Sequence, residues 1–149
     1  MALFDIISED IKKAMIAKDK VALEALRGVK KEFLEAKTAK GSTGELSDDA
    51  ALKILQKMVK QRKESAQIFT EQNRADLAEN ELAEASVIEK YLPAKLSDAE
   101  LEAAIKEIIA EVGATSAKEM GKVMGVASKK LAGKADGKEI SEKVKSLLA

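Results

Sequence analysis

The sequence lacks cysteine, histidine and tryptophan, and holds one proline, three phenylalanines and one tyrosine in 149 residues. Without cysteine or histidine there is no disulfide, no thiol nucleophile, no Ser-His-Asp triad, no Cys/His zinc site and no imidazole acid–base step. Only carboxylates and carbonyls could hold a metal, which leaves magnesium or calcium. No apolar run approaches the ~18 residues of a membrane span. The opening Met1-Ala2-Leu3-Phe4-Asp5 has no basic head, and Asp5, Glu9 and Asp10 break a signal-peptide pattern. A soluble, cytoplasmic protein is expected from this, with no catalytic residue, no metal and no cofactor.

What is present is charge and helix-forming apolar pattern. The chain carries 26 basic and 26 acidic residues and is 46% apolar, enough to bury a core. Its charge is uneven: −1 over residues 1–52, +4 over 53–70, −4 over 71–93, −3 over 94–114 and +4 over 115–149. The basic last third points, weakly, to an anionic partner.

Apolar residues recur at three and four positions along nearly the whole chain, and period-two alternation is nowhere sustained. An all-α fold follows. Phe4, Ile7, Ile11 and Ala14 or Met15 mark a first helix. Asp19 can cap a second, carrying Leu23, Leu26 and Phe33, that runs to the break at Gly41-Ser42-Thr43-Gly44. Ser47 caps a long third helix with Leu52, Leu55, Val59, Ala66 and Phe69 on one stripe. Asn73 restarts a fourth, through Leu77, Ala85, Ile88 and Leu92, and Pro93 stops it. The third and fourth helices form a long hairpin.

Pro93-Ala94-Lys95-Leu96 is the expected boundary, dividing an N-terminal helical domain, 1–93, from a small three-helix domain, 94–149. In the second domain Ser97…Glu100 and Ser116…Glu119 both fit the capping box. Gly113 and Gly133 fit left-handed helix ends, and Asp136-Gly137 opens the last helix.

Three constellations exceed this generic pattern. Arg62 stands where the third helix's stripe demands an apolar residue, while Glu81 and Glu84 lie on the apolar face of the fourth. An inward arginine needs a carboxylate, so Arg62 is expected to pair with Glu81 or Glu84, with Arg74 and Asp76 as further members of the network. A magnesium-binding carboxylate cluster is the alternative. In Gly121-Lys122-Val123-Met124-Gly125, a helical projection puts both glycines beside a face carrying Lys118, Lys122 and Lys129, away from Val123 and Ala127. Each helix-interior glycine costs about 1 kcal/mol against alanine. Close approach of a partner's backbone would explain the pair, and the lysines suit phosphates. Packing against another helix of the same chain would explain it too. Third, Gly133-Lys134-Ala135-Asp136-Gly137-Lys138 is a basic turn at a helix start, next to Lys129 and Lys130, able to bind an anion or simply to connect. It lacks the spacing of a P-loop.

Lys60-Gln61-Arg62-x-x-Ser65, Arg74-x-Asp76-Leu77-Ala78-x-x-Glu81-x-x-Glu84, Tyr91-Leu92-Pro93, Gly121-Lys122-Val123-Met124-Gly125 and Gly133-Lys134-Ala135-Asp136-Gly137 stand in the order and spacing of the YqeY-like family. The chain resembles that family from Phe4 to Leu148. The family is similar to the C-terminal tail of the B subunit of the tRNA-dependent Asp/Glu amidotransferase, the GatB/YqeY domain. The resemblance implies a helical N-terminal part and a three-helix tail that, in the amidotransferase, grips tRNA. It carries over Lys122, Gly125, Lys134, Asp136 and Gly137. The chain itself has no thiol and no phosphate loop for amide transfer from glutamine, so a carbon–nitrogen ligase label would describe the relative's chemistry.

The expected function is a non-catalytic accessory protein that binds tRNA or another structured RNA. Its candidate contacts are Lys118, Gly121, Lys122, Gly125, Lys129, Lys130, Lys134, Asp136, Gly137 and Lys138. The tail has no aromatic residue to stack on bases, so folded shape is the expected target. The alternatives are a module binding a protein partner in translation or in the amidotransferase, and a component assisting glutamine-dependent amide transfer. No membrane partner is expected.

Overall fold

A computed structural model describes residues 2–149. They form seven α-helices and one 3-10 turn, and no strand occurs among the described residues. The all-helical expectation is met. No helix among them is long and apolar enough to cross a membrane. The backbone groups into two compact units, Met1–Leu92 and Pro93–Ala149.

The first unit contains α1 (Leu3–Ala17), α2 (Lys20–Thr38), α3 (Asp48–Glu71) and α4 (Ala75–Glu89). Local chemistry sets its helix starts. The Asp19 carboxylate accepts from Ala22 N–H at 3.1 Å, and Ser47 Oγ from Ala50 N–H at 3.2 Å. Gly41 and Gly44 take the loop between α2 and α3 through left-handed backbone, with φ of 87° and 83°. The core is the predicted stripes brought together: Ile7, Phe33, Leu55 and Ile88 are fully buried, each worth roughly 1.5–3 kcal/mol of burial. At the end of α1 the core residue is Ala14, while Met15 stays half-exposed.

The sequence places the start of α4 at Asn73. Instead Asn73 is left-handed, with φ of 60°, and the α4 N-cap is Arg74, whose N–H donates to Phe69 O at 2.8 Å. Asparagine tolerates that conformation better than other non-glycine residues, so it makes the tight reversal instead of the cap.

The second unit contains α5 (Asp98–Val112), a 3-10 turn (Ala117–Glu119), α6 (Met120–Lys130) and α7 (Gly137–Leu148). Its core joins Leu101, Ile105 and Ile108 of α5 to Val123 and Ala127 of α6 and to Ile140, Val144 and Leu148 of α7. The capping box at the start of α5 is complete: Ser97 Oγ accepts from Glu100 N–H, and the Glu100 carboxylate from Ser97 N–H. Gly113 ends α5 in the left-handed conformation.

Two expectations for this unit fail locally. Ser116 makes no side-chain cap; the Glu119 carboxylate takes Thr115 N–H at 2.6 Å instead, and the chain tightens into the 3-10 turn before α6 begins. Gly133 is left-handed, with φ of 76°, but it lies in the turn beyond the α6 cap at Leu131 rather than at the helix end.

Candidate nucleic-acid interface

The face of α6 turned away from the core is built from small and basic residues. Val123 and Ala127 are fully buried against α5 and α7, which fixes the rotation of the helix. Gly121 and Gly125 are therefore exposed, together with Lys122 and Lys129, and Lys118 projects from the preceding 3-10 turn. A Cβ placed on either glycine would meet no heavy atom within 4 Å. Packing against α5 or α7 does not account for this pair.

The remaining basic candidates differ in how free they are. Lys118, Lys122, Lys129, Lys134 and Lys138 are exposed, and none of them is in an ion pair among the described residues. Lys130 Nζ lies 2.5 Å from the Glu111 carboxylate, an exposed pair that ties the end of α6 to the end of α5. Lys134 presents its ammonium outward while its carbonyl accepts from Leu96 N–H at 3.0 Å. Asp136 is the N-cap of α7 and lies 3.9 Å from Lys95 Nζ; Gly137 is the first, exposed, residue of α7. The lysines of α6 and of the turn therefore share one short stretch of the unit, with Lys130 partly neutralised. No three acidic side chains among the described residues converge as metal ligands.

In the first unit Arg62 Nη1 reaches both carboxylates, Glu84 at 2.8 Å and Glu81 at 3.4 Å. Asn80 Nδ2 also donates to Glu84 at 3.4 Å. Burial raises the Glu84 carboxyl above its ordinary range, against the pull of Arg62, with Glu81 and Glu24 adding to the rise. Arg74 and Asp76 do not join this network. They pair with each other at 3.3 Å across the exposed α3–α4 reversal, because the left-handed Asn73 carries Arg74 away from the hairpin's interior face. Each holds the other charged: their mutual hydrogen bond raises the arginine and lowers the aspartate.

Three contacts have no counterpart in the sequence reading. Tyr91 O–H donates to the Asp10 carboxylate at 2.5 Å, joining the end of α4 to α1. Lys37 Nζ sits 4.2 Å from the centre of the Phe4 ring. Lys63 pairs with Glu89 at 2.5 Å along the hairpin. Asp10 was legible in principle, since it interrupts the Ile7, Ile11, Ala14 stripe as Arg62 interrupts its own. The Lys37–Phe4 contact depends on how two helices cross, for which the sequence carries no signal.

The profile of the family described as "Yqey-like protein" matches residues 4–148. Similar curated proteins bear the name "altered inheritance of mitochondria protein 41, mitochondrial". The one from Clavispora lusitaniae is 35% identical over 118 residues, covering 78% of this chain and 68% of that protein. The one from Pyrenophora tritici-repentis is 32% identical over 149 residues, covering 95% and 78%. The one from Lachancea thermotolerans is 32% identical over 108 residues, covering 71% and 57%. These names overturn the expectation of a cytoplasmic location, because the relatives are mitochondrial proteins. A chain without cysteine can reside in either compartment, so its composition does not tell cytoplasm from mitochondrion.

Proposed function

The chain belongs to the YqeY-like family, and from that premise we propose that the α6 face and the turn after it bind folded RNA, tRNA foremost, without catalysing a reaction. One observation carries the proposal: two helix glycines, Gly121 and Gly125, open onto solvent beside the unpaired Lys118, Lys122 and Lys129. Glycines there let a sugar–phosphate backbone come within contact of the helix, and the lysines neutralise its phosphates. The unit from Pro93 onward has no aromatic residue, which suits reading by shape and phosphate rather than base stacking. Lys134, Lys138 and the start of α7 would extend the contact, with Lys130 contributing less because Glu111 holds it.

The test is binding of the full chain to bulk tRNA across a salt series, with the triple variant Lys118→Ala, Lys122→Ala, Lys129→Ala beside it. The expected result is a steep negative salt slope that flattens by about two to three units in the variant. An unchanged affinity in a folded triple variant would remove this face from the proposal. A complex with a protein that survives nuclease treatment would move the reading to a protein partner.

A further inference from the structure

The first unit carries an unpaired basic face of its own, on α3, where residues 53–70 have a net charge of +4. Two of the cations there are committed within the chain, Arg62 to Glu81 and Glu84, and Lys63 to Glu89. Lys53, Lys57 and Lys60 are not. All three are exposed, and none is in an ion pair among the described residues. Their spacing of four and three residues puts them on one row, on the side of α3 opposite the buried Ala51, Leu55, Val59 and Ala66. We infer that this row is a second phosphate-binding face, which contacts the backbone of the same folded RNA.

The row costs the helix stability that the chain itself does not return. Lys53 and Lys57 are like charges four apart, and Lys57 and Lys60 three apart, and such pairs destabilise a helix. Lys57 has no acidic residue three or four positions away on either side. Asp49 and Glu64 could relieve only the two ends, and neither is within ion-pair distance of its lysine. Elsewhere the same spacing is used to pair opposite charges, as in Lys106 with Glu102 and Lys13 with Asp10. Phosphates laid along the row would remove the repulsion that α3 leaves standing.

Two features favour RNA over an acidic protein as the occupant. Every exposed residue from Lys53 to Glu64 is polar, so the face offers no apolar centre of the kind a protein interface is built on. A phosphate backbone needs none. The row from Lys53 to Lys60 is about 10 Å long at the rise of an α-helix, and over such a length one strand of a duplex presents about three phosphates. The inference rests on the reading of the chain as an RNA-binding protein, but it uses none of the lysines or glycines around α6. With one basic face in each unit, a single RNA held by both would gain affinity from the linkage alone.

The experiment measures binding of the full chain to bulk tRNA across a salt series, in wild type and three variants. One carries Lys53→Gln, Lys57→Gln and Lys60→Gln on α3, the second carries the Lys118, Lys122 and Lys129 substitutions to alanine, and the third carries all six. The α3 variant should flatten the salt slope by about two units, and the sixfold variant should flatten it further than either set alone. Arginine at the three α3 positions keeps the charge and should keep the wild-type slope. An unchanged slope in the α3 variant overturns this inference and leaves the α6 face standing. A slope lost in the α3 variant and kept in the α6 variant supports this face and removes the other. Polyglutamate is the second probe: if it binds the α6 variant through the α3 lysines as tightly as tRNA does, the occupant is an acidic protein surface and the inference fails.

Discussion

Gly28 of α2 lies under the guanidinium of Arg62 on α3: a Cβ at position 28 would stand 3.6 Å from Arg62 Nη2 and 3.8 Å from Met58 Cε. An alanine would fit at ordinary contact distance, but a longer side chain would meet the guanidinium. The glycine therefore clears the space in which Arg62 reaches Glu81 and Glu84, so three helices are committed to one ion-pair site.

Removing the arginine leaves Glu84, only 6% exposed, without its cation. Arg62→Ala is expected to destabilise the chain by about 3 kcal/mol, the low end for a broken buried pair because the guanidinium keeps about a fifth of its surface. Urea unfolding of the two proteins measures it. A loss below ~1 kcal/mol would mean that water replaces the arginine without penalty.

The Glu84 carboxyl gives this site a pH dependence of unusual sign. Its folded pKa is raised above 4.5, chiefly by burial, so the folded state holds the proton where the unfolded state has released it. Its contribution is complete below about 4.5 and is lost as pH rises through the raised folded value. Wild type should therefore gain stability relative to Glu84→Gln as the pH is lowered from neutrality toward that value. Urea midpoints at several pH values follow the difference, and a loss of wild-type stability relative to Glu84→Gln on acidification would reverse the assignment.

Much of this was legible because each element announces itself locally. The caps at Asp19, Ser47 and Ser97 and the left-handed Gly113 are decided within four residues of sequence, and Arg62 betrays its partners by sitting on an apolar stripe. The failures come where two local signals compete. Ser116 and Glu119 fit a capping box, yet the Thr115 N–H captures the Glu119 carboxylate. Arg74 and Asp76 are close enough in sequence to satisfy each other at the exposed reversal, and that short-range pair displaces the longer-range network. For the α6 face, periodicity located the glycines beside the lysines but could not tell open space from a neighbouring helix, since that depends on where α5 and α7 pack.

Tyr91 offers a probe free of overlap, because the chain has one tyrosine and no tryptophan. Burial, and then the hydrogen bond to Asp10, raise its phenol well above the usual 10.0. The unfolded chain ionises at about that ordinary value while the folded chain keeps the proton. Stability from this group is thus present below 10.0 and is lost as pH climbs toward the folded value. Near-ultraviolet absorbance should show tyrosinate appearing late in the native protein, and earlier in Asp10→Asn. A native titration centred at 10.0 would mean that the α1–α4 bond is not held in solution.

Gly125 separates what the fold needs from what a partner needs. It lies inside α6, and a methyl group there would meet nothing within 4 Å, so Gly125→Ala should raise stability by about 0.5–1 kcal/mol through helix propensity alone. If the glycine is kept for close approach of RNA, the same substitution should weaken tRNA binding even as the protein becomes harder to unfold. Thermal melts and tRNA titrations of the one variant read both effects. A gain in stability with unaltered binding would leave Lys118, Lys122 and Lys129 as simple electrostatic contacts and deprive the glycine of a role in recognition. A loss of stability would show that α6 is not the regular, solvent-facing helix from which the interface has been built.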